Sequence, residues 1–337
     1  MTPEKTLLLI GAPADVLQRA KTLGLDVILV QHKNKYTRDQ ADLADVTFVA
    51  DFTDWSVARE VAEAAHHTWG FAAVLSLTDP GLTTAARIND LFGLGGTGQE
   101  VCDRFRDKLT MRRRLAEAGS GSGVTVIGAE PLDGRASLEA FAERYGYPVI
   151  VKPTDAAASI GVHRVDGRDD VEDVLAKVGH LRDNGSGACG NLFDIDRFLM
   201  EEFVSGPEYS VEAFSFAGRH VVVAVTEKLT GEGHFAELGH TVPARLDATA
   251  EDEVVAATQR FLDLVGLTDG PSHTEVRLGP RGPVVIESHN RVGGDRIDEL
   301  VAAVYGVDLK TYTAGRSGSS TRCPAGHARP GRPACGW

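Results

Sequence analysis

The chain has 337 residues, 42% hydrophobic and 25% charged, with a formal net charge of −13. That composition suits a globular protein of two or three lobes, each with its own core. The acidic balance is the wrong sign for a nucleic-acid-binding face and favours solubility and carboxylates that seek a metal.

The opening "MTPEKTLLLIGAP" carries Glu4, and its apolar run is too short for a signal peptide. No apolar run reaches the ~20 residues of a membrane span, so no membrane partner is expected. "KTLLLI" (5–10), the turn at Gly11-Ala-Pro, a helical stretch to Gly24 and "DVILV" (26–30) read as strand, turn, helix and strand. That βαβ unit implies a parallel sheet. "DVTFVA" (45–50) and "FAAVLSL" (71–77) continue the alternation, so the first 95 or so residues read as a small doubly wound domain. Its first turn, "GAPADV", is not GxGxxG, which removes the dinucleotide fingerprint.

A single helix is expected from Gln99 to Ala118, carrying Lys108, Arg112, Arg113 and Arg114. "GSGSG" (119–123) breaks it as a flexible joint. A helix, "SLEAFAERYG", then leads into the buried strand "YPVIVKP", the small-residue run "DAAASIGV" and a further strand. "HLRDNGSGACGN" (180–191) reads as a polar loop. The strands "RFLMEEFV", "EYSVEAFSF" and "HVVVAVTEK" follow, then a helix at about 249–265 and the strands "SHTEVRL" and "PVVIESH", joined by Gly-Pro turns as hairpins would be. The whole reads as α/β and α+β: a Rossmann-like front with antiparallel sheets behind it. The last stretch (314–337) has four arginines and no acids, and without it the charge would be −13 − 4 = −17. It reads as a disordered, out-of-frame or truncated end in place of a native segment. Cys102, Cys189, Cys323 and Cys335 form no CxxC pair, so a reduced, cytoplasmic protein without a zinc site is expected.

Several stretches carry chemistry. Lys152 ends a buried strand and is costly to bury without an anion, and the small residues after it let a backbone approach a ligand and donate N–H groups. A plain strand-end lysine is the alternative. Glu201 to Val204 offer an acceptor, backbone amides and apolar sides suited to an adenine edge, and Glu208 could accept from ribose hydroxyls; an ordinary hairpin with exposed acids fits these residues equally. Glu275 and Glu287 lie on strands separated by "GPRGP", so they should be paired neighbours facing one way. Two such carboxylates repel unless a cation lies between them, and hard oxygen ligands suit Mg²⁺ on nucleotide phosphates. Arg291 could grip a phosphoryl oxygen, and the amides of Gly293 and Gly294 could hold an oxyanion. A salt-bridged rim is the bland reading. Asp295 could hold an ammonium group or cap the helix in "GDRIDEL".

In this order the residues resemble the ATP-grasp superfamily, in particular carboxylate–amine ligases of the L-amino acid ligase type, over about residues 5–310. The resemblance implies an ATP-grasp fold: a Rossmann-like N-terminal domain (1–97), a linker helix and lid lobe (98–200) and a catalytic lobe (201–313), with two α+β lobes enclosing the nucleotide, followed by the atypical tail (314–337). It implies ATP as the nucleotide, held by Lys108, Lys152, Ser159 in the lid, Glu201, Val204, Glu208 and Lys228. It implies Mg²⁺, with Mn²⁺ as a substitute, on Glu275 and Glu287. His240 and His273 would face the substrate, and Arg291, Gly293 and Gly294 would serve catalysis. The partners implied are a small carboxylic acid and an amine, joined through an acyl phosphate, with a homodimer as the common assembly. One departure stands out. Many relatives read E-x-N-x-R at the second metal acid, whereas here it is Glu287-Ser-His-Asn-Arg, which leaves His289, Asn290 or neither as the third ligand. A carboxylase using carboxyphosphate and a non-catalytic ATP-binding protein are the competing functions.

Overall fold

A computed structural model describes residues 1–184, 195–231, 235 and 237–316. The first unit runs β1 (Thr6–Ile10), α1 (Ala14–Thr22), β2 (Asp26–Gln31), α2 (Arg38–Leu43), β3 (Val46–Val49), α3 (Trp55–Thr68), β4 (Ala73–Leu75) and α4 (Asp79–Phe92). Its strands pair in parallel in the order β3-β2-β1-β4. All five residues of β1 are buried, as expected of a central parallel strand covered on both faces.

The expected helix from Gln99 to Ala118 is in fact two: α5 (Gln99–Arg106) and α6 (Lys108–Ala118). Asp107 causes the break. It adopts an extended conformation and caps α6 by accepting from the Thr110 amide at 2.7 Å. The next unit comprises β5 (Ala129–Pro131), α7 (Arg135–Tyr145), β6 (Val149–Pro153), β7 (His163–Val165), α8 (Val171–Asn184) and β8 (Phe198–Glu202). Its antiparallel sheet has the order β5-β8-β6-β7. Alternation sends Val149 and Val151 into a core with Phe141 and Val174, and turns Ile150 and Lys152 the other way. Most of the polar loop predicted at 180–191 lies outside the described residues.

A larger antiparallel sheet follows, formed by β9 (Glu208–Phe216), β10 (Arg219–Thr230), β11 (Glu237–Thr241), β12 (Gly270–Gly279) and β13 (Gly282–His289), with α9 (Ala248–Val265) between β11 and β12. The strand order is β11-β10-β9-β12-β13. The turn predicted between β8 and β9 is therefore not a hairpin but the crossover between two sheets. Gly206 sits there at φ 115°, where a Cβ would come within 2.2 Å of the Leu278 carbonyl oxygen, so only glycine fits. One face of the large sheet presents Val211, Ala213, Val225 and Val276 to Phe105, Phe261 and Leu262 of α5 and α9. The other face is polar and carries the site.

Two further helices, α10 (Ile297–Tyr305) and α11 (Leu309–Arg316), return to the first unit. Ile297, Val301, Leu309 and Ala314 share a core with Leu7, Leu9, Val16 and Leu17. Lys310 bridges Asp15 and Asp298 at 2.9 and 2.7 Å. Ala314 to Arg316 therefore belong to α11 rather than to the expected tail, and residues 317–337 lie outside the described set. Asp295 is not the cap of α10. Arg296 holds that position, in a left-handed conformation and without a side-chain cap. Among the described residues no helix is long and apolar enough to cross a membrane. Cys102 is buried, which pushes its thiol up to about 12; the other three cysteines lie outside the described residues.

Candidate active site

Two clefts meet on the polar face of the large sheet. The first, of about 670 Å³, lies between the two antiparallel sheets. Lys108, Lys152, Ser159, Glu201, Val204, Glu208, Glu275 and Glu287 all line it, beside apolar Ile150 and Ile286. The second cleft, about 2120 Å³ and open, runs under the ends of β1 and β4 and is lined by His273, Arg291, Gly293 and Gly294. Glu275 and Glu287 line both clefts.

The register explains that junction. Glu275 pairs with Glu287 and His273 with His289 across β12 and β13. The side chains in between, Thr274 and Ser288, bond each other at 2.8 Å on the opposite, buried side. The ladder slips between Glu275 and Val276, leaving Ile286 as a bulge. Its carbonyl accepts from Arg112 at 3.0 Å and faces Lys152 at 3.4 Å.

Every carboxylate here has a cation. Lys108 Nζ lies 3.0 Å from Glu287 and also donates to the Ala156 carbonyl. Lys228 Nζ, almost wholly buried, meets Glu208, Glu237 and Glu275 at 2.9, 2.7 and 2.7 Å. Burial opposes the charge on Lys228, but the three carboxylates override it and raise the amine above its usual range. Burial likewise pushes Glu275 up, yet Lys228 and His273 bring it down to about 2. Glu237, held by the same lysine, moves the other way because its burial and the nearby Glu275 outweigh that contact. Glu287 is held well below the carboxylate range by Lys108 and His289 against its burial.

Glu201 has a second task beside the one expected of it. Besides lining the cleft, its side chain is bound by Arg112 Nε at 2.9 Å and Lys152 Nζ at 2.5 Å, all three side chains being 3% exposed. The anion that Lys152 requires is thus supplied within the fold. Burial still drags the Lys152 amine below its ordinary value. Glu208 bonds Arg277 at 3.0 Å as well as Lys228. Ser159 donates to the Phe235 carbonyl at 3.1 Å. Lys228 does not line the first cleft but lies beneath it, braced between carboxylates. His240 lines neither cleft. It sits 3.3 Å from Glu237 and 3.9 Å from Asp295, and these three are the only group of metal-type ligands found to converge within 4.8 Å among the described residues.

Three residues enter the site that sequence reasoning did not single out. Asp79, at the first position of α4, accepts from Arg291 Nε and Nη2 at 2.9 and 2.6 Å and from His289 Nδ1 at 2.8 Å. Burial raises the Asp79 carboxyl, but His289 and Arg291 hold it well below its usual range. Glu212, fully buried, accepts from Ser210 at 2.9 Å and His273 Nδ1 at 2.7 Å. Burial lowers His273, but Glu212 and Glu275 more than compensate, raising it to about 9. Arg112 is the third. Gly293 is tightly enclosed: a Cβ would meet Glu212 Oε2 and His273 Nδ1, both at 3.0 Å, and both would have to give way.

The donor set fits a hard divalent cation, since two largely buried carboxylates face one junction between clefts. The first cleft, with two lysines and an apolar flank, fits a nucleotide with its phosphates at that junction.

Comparison with known proteins agrees. A family model described as an ATP-grasp domain matches residues 145–299, and an ATP-grasp N-terminal domain matches residues 17–96. The chain belongs to the ATP-grasp superfamily. It is 27% identical over 267 residues to an alanine–anticapsin ligase of Bacillus subtilis (strain 168), covering 75% of this chain and 55% of that one. It is 24% identical to an L-arginine-specific L-amino acid ligase of Bacillus subtilis, over 78% of this chain and 62% of the relative. The crystal structure of an L-amino acid ligase from Bacillus licheniformis superposes with a TM-score of 0.78 at 23% identity, covering 95% of this chain and 75% of that one. The expected fold class is thereby borne out. The chain spans about half the length of the alanine–anticapsin ligase that it matches.

Proposed function

We propose that this chain is an ATP-dependent carboxylate–amine ligase that forms an amide or peptide bond between small substrates, amino acids among them. The observation that carries the reading is the position of Glu275 and Glu287 at the junction of two clefts, one flanked by lysines and the other by Arg291 and His273. Phosphoryl transfer needs its donor and acceptor held in line across such a junction. The curated relatives are named as amino acid ligases, which supports this reading over a carboxylase.

The first cleft takes ATP, with Lys108 and Lys152 beside the phosphates and Val204 with Ile150 beside the base. Glu275 and Glu287 hold Mg²⁺ or Mn²⁺, which neutralises charge on the transferred phosphoryl group when bound. A substrate carboxylate oxygen attacks the γ-phosphorus, the bridging P–O bond breaks, and ADP leaves an acyl phosphate. The amine nitrogen then attacks the acyl carbon, phosphate departs, and the nitrogen loses a proton. Among the described residues Arg291 commits three N–H groups to Asp79 and the Val292 carbonyl, out of the five a guanidinium carries. Its remaining N–H groups serve the developing oxyanion, together with backbone amides at Gly293 and Gly294. His273, charged at neutral pH and pinned by Glu212, faces the acid substrate. His240 lies further from the reacting atoms, near Glu237 and Asp295, on the amine side.

The test is a screen of amino-acid pairs for phosphate release, with products identified by mass spectrometry. Glu287→Gln is expected to abolish turnover while leaving unfolding cooperative. Unchanged turnover in that variant would remove the metal assignment.

A further inference from the structure

We propose that His289 is a nitrogen ligand to the divalent cation at Glu287. The inference rests on the ATP-grasp reading of the site and adds a donor to it. His289 follows Glu287 by two residues, so both side chains leave the same face of β13. Its Nε2 lies 3.3 Å from Glu287 Oε1. Two donors on adjacent positions of an octahedral ion, each at about 2.1 Å, stand roughly 3 Å apart. The pair is therefore spaced to share one cation with little movement.

The ring is also oriented for the task. Nδ1 lies 2.8 Å from Asp79 Oδ1, so a proton on Nδ1 has a carboxylate partner, and a cation at Nε2 would displace only a proton shared with Glu287. A carboxylate holding the remote ring nitrogen is the outer-shell arrangement of metal-bound histidines. Asp79 is itself fixed by two bonds from Arg291, so the imidazole plane is set from the first unit of the fold. The rival, Asn290, has its side chain beside the buried Cys102 thiol, and its Oδ1 is buried without a hydrogen-bond partner among the described residues, so the same experiment tests it against His289. An imidazole in place of an amide oxygen shifts preference away from Mg²⁺ towards ions that accept nitrogen, such as Mn²⁺ and Co²⁺.

The experiment loads the full chain with Mn²⁺ and ADP and records electron spin-echo modulation. Protein grown with [¹⁵N]histidine is expected to exchange ¹⁴N for ¹⁵N modulation. That modulation should vanish in His289→Asn and persist in His273→Gln. Bound Mn²⁺–ADP without histidine modulation, or modulation that survives His289→Asn, would overturn the assignment of His289 alone. Failure of Mn²⁺ and nucleotide to bind together would instead remove the ATP-grasp reading of the site, and this ligand with it. Mn²⁺ affinity relative to Mg²⁺ should also fall about tenfold or more in His289→Asn; an unchanged ratio counts against the proposal.

Discussion

Replacing Lys228 by methionine removes a cation on which three carboxylates converge and leaves a side chain of similar length. The consequence for stability follows from Glu275, whose carboxyl is brought from 4.5 to about 2 in the fold. A group depressed in this way stabilises the fold above its unfolded value and loses that contribution as pH falls towards its folded value. The difference, 4.5 − 2, at about 1.4 kcal/mol per pH unit, is about 3 kcal/mol at neutral pH. Burial opposes the charge on Glu275, and the Lys228 ammonium does more than any other group to favour it, so most of this is lost in the variant. Among the described residues Glu208 keeps Arg277 as a partner, and Glu237 keeps His240. With a urea m-value of about 3 kcal/mol/M for a chain of this size, the midpoint at pH 7.5 should fall by about 1 M. The gap between wild type and Lys228→Met should then narrow below pH 5, as the stranded carboxylates take up protons. Urea titrations monitored by circular dichroism at pH 7.5, 6 and 4.5 measure it. A gap under about 1 kcal/mol at pH 7.5, or one that does not change with pH, would show that the lysine acts by packing and refute the electrostatic account.

Glu201→Gln leaves Arg112 and Lys152 buried without their shared anion and should cost about 3–5 kcal/mol. Adding Lys152→Met to it should recover about 2 kcal/mol, measured by a double-mutant cycle in urea; strict additivity would contradict the pairing. Gly293→Ala pushes a methyl against Glu212 and His273, so stability should fall by about 1–3 kcal/mol. Turnover should fall with it if His273 is displaced, and thermal unfolding alongside initial rates separates the two effects.

The elements that determine the site were largely legible because they are local. Alternation in "SHTEVRL" and "PVVIESH" puts Glu275 and Glu287 opposite each other, and the ladder pairs them directly. The run from β1 to β4 gives the parallel front for the same reason. What escapes sequence reasoning is non-local. Asp79 meets Arg291 across 212 residues, and nothing in "SLTDPG" names that partner. Glu212 has a visible signal, since Glu208, Ser210 and Glu212 recur at every second position of β9, yet its partner His273 is 61 residues away. Arg112 is one of three consecutive arginines, and only the angle of α6 against Glu201 decides which is buried. Glu201 reads as a ligand-facing acid because a strand-end carboxylate looks available from sequence. The fold also uses it to neutralise two cations that the same sheet and helix bury.

That neutralisation bears on what the first cleft can admit. Around it lie Lys108, Lys152, Lys228, Arg112 and Arg277, and facing them are Glu201, Glu208, Glu237, Glu275 and Glu287. With Glu202, which also lines the cleft, and its partner Arg281 added, the formal charges cancel, six against six, and each of these carboxylates is within ion-pair distance of a cation. A triphosphate entering such a place brings several negative charges that the fold's own cations are already balancing. Buried charge without a counter-charge is too costly to hold. Either the lysines exchange their carboxylates for phosphate oxygens, stranding Glu275 and Glu287, or the nucleotide arrives with divalent cations that the two glutamates then bind. Both routes end with positive charge between those glutamates. If a triphosphate binds in the first cleft, as proposed, charge balance calls for a cation at the same junction that strand register creates.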